Sequence, residues 1–465
     1  MGEITISPVT RISGLLSIDV YLDAAGRVYE ANCLGEQFRG FEAMMRGRKA
    51  TDAVYFTQRI CGICSMAHGF TAARLVERLY GAVPAPEMIL LQQAMLGAEF
   101  LQNHIRHFYL LALPDYLDCE PSSGQTIIRA SGVRSRFNAA QQQQLIGHYF
   151  AAMAAGRQCH DMLAVFGGKI PHQHGLTPEG LAVRPTADRK LQFLSLLAQV
   201  TEFIERAMLP DLDLLAGVYA DYYRVGIGPL RYISFGLFDP AYGGHFPAGV
   251  LAGTELNPVR IDEIEESVTF SWYEKEDSVT IPQPEKPAAY SWVKAARYRG
   301  LSYEGGPLAR KFIRLGGADP GMAGAMGRLA ARAEEARSIA SWMRDWVQDL
   351  PAEGRYVLPL EAPTVLRAVY TGDAPRGPLL HAMAVQGDQV ESYDIVTPST
   401  WNFSPKDALG RPGPAEEALI GTTVDDPANP VDVGRIVRSF DPCLSCATHC
   451  IDWRGRSLTR VNVMA

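Results

Sequence analysis

The chain has 465 residues, 47% of them hydrophobic and 20% charged, with 44 Lys+Arg against 51 Asp+Glu for a formal net charge of −7. That length allows two or three ordinary domains or one elaborated core, and the acidic balance speaks against a nucleic-acid surface. Eight cysteines are too sparse for a disulfide scaffold, and no stretch reaches the roughly 18 apolar residues of a membrane span.

The opening "MGEITISPVTRISGLLSIDVYL" lacks the charged start, apolar block and small-residue cleavage site of a secretory signal, so a cytoplasmic location is expected of the chain on its own. From Thr5 to about Asn32 the pattern alternates and "DAAG" supplies a turn, which predicts a hairpin. "RICGICSMAHG", Arg59 to Gly69, follows. After Cys64 the spacing of Phe70, Ala73, Val76 and Tyr80 is helical and Gly81 ends it, so Cys64 is placed near a helix N-terminus, where the dipole favours a thiolate.

Three long apolar-periodic segments come next, Glu87 to Leu117, Asn138 to Phe166 and Asp188 to about Tyr223, and a fourth runs from Met322 to Leu350. They predict a long helical bundle. "RYISFGLFD" and "SVTFSWYEKEDSVTIPQPEKP" predict strands inserted between the third and fourth helices, and "HAMAVQGDQVESYDIV" a hairpin between Thr364 and Ser399. No fixed-period repeat or clear linker interrupts the chain. The expected class is α+β: one unit with a long central bundle, small peripheral sheets, and terminal segments that converge on a buried metal site.

That convergence rests on cysteine spacing. "DPCLSCATHC", Asp441 to Cys450, repeats the Cys-x-x-Cys of the first motif nearly a chain length away, with its histidine three rather than four positions after the second cysteine. A Cys-x-x-Cys turn brings both sulfurs to one side, and two such pairs supply four soft ligands. Taken bare, the pairs allow structural zinc or a redox dithiol, although no βαβ pattern supports the latter. Cys33, Cys119, Cys159 and Cys450 are expected to be structural or incidental.

The residues around the cysteines are more specific. "RICGIC...H" and "DPCLSC..H" at opposite ends, with "FRGFE" (Phe38 to Glu42), "FGGKIPH" (Phe166 to His172), "YEGGPLAR" (Tyr303 to Arg310), "APRG" (Ala374 to Gly377) and "TPSTWNFSPKD" (Thr397 to Asp407) between them, resemble the large subunits of nickel-iron hydrogenases. The blocks run in family order over essentially the whole chain.

The resemblance implies a catalytic subunit for the reversible heterolytic oxidation of hydrogen. Cys61 and Cys443 would be terminal nickel thiolates, and Cys64 and Cys446 would bridge nickel to an iron carrying carbonyl and cyanide ligands. Arg376 would stand over the open metal position, with Asp441 close to the nickel site. Pro375, Arg376 and Ser399 would line the pocket for the iron ligands, and His68 would donate to a bridging sulfur. Glu42 and His449 would bind a magnesium ion. The family also implies an obligate iron-sulfur small subunit, which could carry the chain to the membrane or periplasm, and a maturation endopeptidase. The expected mature unit is 1–449, with 450–465 removed after His449.

Some positions depart from the family pattern. "RISGL" stands where the family has "RIEGH", so Ser13 replaces a proton-relaying glutamate, and a serine hydroxyl does not titrate in the required range. Glu36 is either a substitute or a solvated charge. Asn103, in "LQNHIRHFY", takes the place of an aspartate beside Arg376 and removes a counter-charge. These changes keep a second reading open, a hydrogen-sensing regulatory subunit with low turnover; a metal-free or zinc-holding structural subunit is the remaining rival.

Overall fold

The structure is a computed structural model, and it describes residues 2–118, 134–276 and 279–447. Strands Gly2–Ile6, Leu16–Leu22 and Val28–Gly35 form an antiparallel sheet in chain order. The alternating segment thus supplies the expected hairpin, and the first residues add a third strand. The inward side chains Leu16, Ile18, Val20, Val28, Ala31 and Cys33 pack with Ile436 and Val437 of the Val431–Ser439 helix, so the two ends of the chain share one core.

The bundle is built from Pro86–Arg106, Ala139–Gly167, Ala187–Phe203 and Ala325–Asp349. The first packs on the second and the fourth, and the second also packs on the third. Asn138 caps its helix by accepting the Gln141 amide, while Gln141 Oε1 accepts the Asn138 amide, a reciprocal pair that satisfies two otherwise free donors.

Two of the expected helices are shorter than their apolar periodicity. The first ends at Arg106 and continues as a π turn, His107–Ala112, and a 3₁₀ turn, Leu113–Tyr116. The third gives way to a π turn at Ile204–Met208 before Leu209–Val218. Pro114 and Pro210 explain both breaks, because a proline nitrogen has no hydrogen to donate and its ring crowds the carbonyl one turn back.

The helix Ser65–Tyr80 lies between this bundle and an antiparallel sheet of Arg367–Ala374, Gly377–Gln386 and Gln389–Val396. Gly81, at φ +65°, closes the helix in the left-handed region. The predicted strands between the third and fourth long helices form small sheets, including the pairs Ile264–Ser267 with Ala295–Tyr298 and Tyr273–Glu276 with Val279–Pro282.

Candidate metal centre

The two Cys-x-x-Cys segments meet at the helix Ser65–Tyr80. Cys61 leaves a short 3₁₀ turn in an extended conformation, and Cys64 is the residue before the helix. From the other end, the Cys443 segment lies parallel to Ser13, the Ser13 amide donating to the Pro442 carbonyl at 3.2 Å and the Leu444 amide to the Ser13 carbonyl at 2.7 Å. One turn of helix, Leu444–Ala447, then brings Cys446 beside Cys443. Arg39 fastens the loops to each other: its guanidinium donates to the Ile60 carbonyl, to the Arg59 carbonyl at 3.0 Å and to the Ser445 carbonyl at 3.2 Å.

All four sulfurs are buried and lie within 4.8 Å of one another. The close pairs are Cys61–Cys443 at 3.4 Å, Cys64–Cys446 at 3.2 Å and Cys443–Cys446 at 2.9 Å. A disulfide would need about 2.05 Å. Two sulfurs each about 2.3 Å from a shared metal and at right angles are about 3.3 Å apart, so the donor set suits a thiolate-bound metal.

Crowding reverses one expectation. Shared hydrogen bonding with Cys443 and the other two thiols holds Cys61 well below the usual thiol range, and the same sharing pushes Cys64 well above it. Cys446 is pushed up by burial first. Four thiols this close cannot all ionise together without a cation, and the helix dipole at Cys64 is too weak an influence to change that.

Arg376 projects into this end of the site from the turn between two sheet strands. It donates from Nε to the Asp441 carbonyl, from Nη2 to Asp441 Oδ1 and from Nη1 to Asn103 Oδ1, each at 3.0 Å. Burial raises the cost of the Asp441 charge, but Arg376, His107 and Arg332 outweigh it and hold the carboxyl at about 2. Arg376 is likewise pushed up despite burial, because Asp441 and the sulfurs of Cys443, Cys64 and Cys61 surround it. Ser399 Oγ accepts the Cys443 amide at 3.0 Å, and the Pro375 carbonyl accepts from Arg310 Nη2 at 3.1 Å.

His68 lies one turn beyond Cys64 on the same helix. Its Nδ1 pairs with His381 Nε2 at 3.1 Å, and His381 Nδ1 pairs with Tyr393 Oη at 2.8 Å. Burial pulls His68 down to about 4, so the imidazole is neutral near pH 7. Glu42 stands apart from the sulfur site, accepting the Ile395 amide at 3.0 Å and facing Lys294 Nζ at 3.6 Å. Burial raises it to about 7; Lys294 works against that rise, and Glu266 and Asp394 add to it. His449, Cys450 and the segment 450–465 lie outside the described residues, as does Cys119.

Several groups that shape the site carry no sequence signal of that role. Arg332 donates to Asp441 Oδ2 at 3.3 Å, and Glu335 receives Arg310 at 2.7 and 2.8 Å. Arg310 also reaches the Ala374 and Pro375 carbonyls, just before Arg376. Glu99 accepts the Met66 and Ala67 amides at 2.7 and 2.8 Å, capping the cysteine-bearing helix from the bundle. The polar residues of "LQNHIRHFY" and the block "YEGGPLAR", which ends at Arg310, are the patterns that could have pointed to this network.

Comparison with known proteins decides the family. The model of the nickel-dependent hydrogenase family matches residues 39–145 and 130–449. The chain belongs to the nickel-dependent hydrogenase family. A further model, described as HoxL-like, matches residues 3–33. The chain is 33% identical to the periplasmic [NiFeSe] hydrogenase large subunit of Desulfomicrobium baculatum, over 97% of this chain and 95% of that one. It is 27% identical to the hydrogenase-2 large chain of Escherichia coli K12, over 99% of this chain and all of the relative.

Among solved structures, the reduced Ni-Fe-Se hydrogenase of D. vulgaris Hildenborough superposes with a TM-score of 0.90 at 33% identity, covering 96% of this chain and 100% of that one. The reduced, active Ni-Fe-Se hydrogenase of Desulfomicrobium baculatum gives 0.91 at 33% identity, with the same coverage. The chain is therefore a hydrogenase large subunit, an oxidoreductase, and its four-cysteine site is that of a nickel-iron centre. The fold is the expected α+β arrangement with the cysteines gathered at a buried site. Large subunits of this family pair with a small subunit. The relatives bear the names of enzymes, which does not favour the hydrogen-sensing alternative.

Proposed function

We propose that the chain catalyses the reversible oxidation of hydrogen to two protons and two electrons, with Cys61 and Cys443 as terminal and Cys64 and Cys446 as bridging thiolates. The observation that carries this reading is four buried sulfurs within 4.8 Å of one another, contributed by both ends of a chain of this family. When bound, the nickel-iron centre, with carbonyl and cyanide on iron, supplies the electron-rich site at which hydrogen is cleaved heterolytically.

The chain's own groups divide the remaining work. Cys443 Sγ receives the released proton. Arg376, held on three sides, presents a fixed cation that polarises hydrogen without reorganising. Asp441 keeps that guanidinium oriented and charged. Pro375, Arg376 and the Ser399 hydroxyl would hold the iron ligands, and neutral His68, one turn beyond Cys64, would donate to a bridging sulfur. Ser13 Oγ, 4.0 Å from Cys61 Sγ, can pass a proton onward but cannot store one. Glu36 accepts from Ser17 Oγ of the strand Leu16–Leu22 and donates its amide to the Leu15 carbonyl at 3.3 Å, two residues from Ser13, which supports it as a substitute exit.

Glu42, with His449, is assigned to magnesium on the oxygen chemistry of a buried carboxylate in the family motif "FRGFE", and the tail 450–465 to removal by a maturation endopeptidase. Among the described residues the four cysteines are the one grouping with metal-binding geometry, which supports an iron-sulfur small subunit as electron acceptor. No helix among the described residues is long and apolar enough to cross a membrane; the site of action is the cytoplasm, or the periplasm or membrane face where the small subunit directs it. The test is an infrared spectrum of the chain purified with its small subunit, in the region of metal-bound carbonyl and cyanide. Bands there are expected, and a blank spectrum from fully matured protein would overturn the catalytic reading.

A further inference from the structure

Asn103 Oδ1 accepts from two guanidinium groups at once: Arg376 Nη1 at 3.0 Å and Arg106 Nη2 at 2.8 Å. The orientation of this amide is dictated by its other end. Nδ2 donates to the Ile63 carbonyl at 2.7 Å and to the Glu99 carbonyl at 2.8 Å, so a flip would set an NH₂ group against two cations and an oxygen against two carbonyls. The same contacts suit an amide at position 103, whose Nδ2 can donate to both carbonyls. Ile63 immediately precedes Cys64, so one side chain ties the first cysteine loop to Arg376 and to Arg106.

The balance of fixed charge around this junction is uneven. Arg376, Arg332 and Arg106 are cationic, and Asp441 is the carboxylate they share. Burial keeps His104 and His107 neutral, at about 4 and about 3, and raises Glu99 to about 8. Glu335 is engaged by Arg310, which Asp373 also faces. Arg106 also lies within electrostatic reach of His160, which burial and Arg106 together pull down. Arg106 lies within electrostatic reach of Asp441, Cys61 and Cys64, in surroundings where a unit charge is screened far less than in water.

We infer that Arg106 is a second fixed cation of the metal centre, coupled to Arg376 through the Asn103 oxygen, and that it raises the reduction potential of the centre. The inference rests on the nickel-iron reading above. A cation stabilises whichever form of a redox site carries more electrons, and four thiolates with anionic iron ligands give this one an excess of negative charge to offset. Arg106 touches none of the sulfurs in this arrangement and acts as a tuning residue through Asn103.

The experiment is a redox titration followed by infrared spectroscopy on the assembled heterodimer, comparing wild type with R106Q, R106M and R106K. Two neutral variants are made so that failure of one to assemble leaves the other. Loss of the charge should move the carbonyl and cyanide bands to lower wavenumber and the midpoint potentials to more negative values, with R106K staying close to wild type. Bands and potentials unchanged in the neutral variants, or a shift in R106K as large as theirs, would overturn the inference while leaving the metal centre in place. Absence of bands in the wild type would instead remove the nickel-iron reading, and this inference with it.

Discussion

Ser13 and Leu444 are joined by a backbone hydrogen bond of 2.7 Å, so a residue near the start of the chain sets the position of the segment that carries Cys443 and Cys446. Gly14 makes this approach possible. It sits at φ +89°, and a methyl group there would lie 2.4 Å from the Ser445 nitrogen. Both the strained backbone and the clash act on G14A, at a cost of about 1–3 kcal/mol. Because the displaced segment holds two of the four sulfurs, nickel content measured on the purified protein should fall by more than the shift in Tm alone would suggest. Full nickel content in G14A would show that the contact between the chain ends does not position the site.

Replacing Arg376 by Lys retains the charge and discards the geometry. Three hydrogen bonds, to Asn103 and to the carboxylate and carbonyl of Asp441, depend on a planar fork that an ammonium cannot reproduce. R376K should keep its metal and lose hydrogen oxidation by a factor of about 10²–10³, the scale of removing one preorganised electrostatic group. Dye-linked turnover beside metal analysis separates these effects; activity within a few-fold of wild type would reduce Arg376 to a charge whose direction is immaterial.

The legible parts of the molecule are those whose physics is local. Helical periodicity marks Ser65–Tyr80 and the four bundle helices, and alternation marks Leu16–Leu22 with Val28–Gly35, because burial of one face is written into neighbouring residues. The cysteine motifs carry the site for the same reason, since two ligands on one turn must be close in sequence. Arg332 and Glu335 show what stays hidden. In an Ala-, Arg- and Glu-rich helix they resemble solvent-facing charges, yet both are buried, and only their partners at Asp441 and Arg310 account for it. Those partners lie on other elements, so no window of sequence contains the interaction. Arg39 falls within "FRGFE", but its tie between the two cysteine loops is invisible for the same reason.

Ser399 connects the cofactor pocket to the backbone of a ligand. Its hydroxyl oxygen accepts the Cys443 amide at 3.0 Å in a buried setting, and in the proposed role its own hydrogen faces an iron ligand. S399A leaves the amide without a partner, which costs about 1–3 kcal/mol, and removes that donor. The expected result is a modest loss of thermal stability together with a shift confined largely to the cyanide stretching bands. Cyanide bands that coincide with the wild type would restrict Ser399 to holding the Cys443 backbone.

Glu335 makes the acid sensitivity of the network measurable. Burial opposes its charge, but Arg310 and His104 overcome that and lower it from an ordinary 4.5 to about 2. A carboxyl with a depressed folded value contributes stability above its unfolded value and loses it as pH falls through the folded one, here between about 4.5 and about 2. E335Q should be less stable than wild type near neutrality by about 3–5 kcal/mol, because Arg310 is left partly uncompensated in the interior. The gap should close as pH falls through that window, where the wild type protonates. Asp441 titrates over a similar range in both proteins, so the difference between their unfolding curves reports Glu335 together with His104, which is bonded to it at 2.8 Å. Activity should also fall at neutral pH, because Arg310 holds the Ala374 and Pro375 carbonyls that set the approach of Arg376. A constant gap from pH 7 to pH 2 would mean that the Glu335 charge contributes nothing beyond its shape.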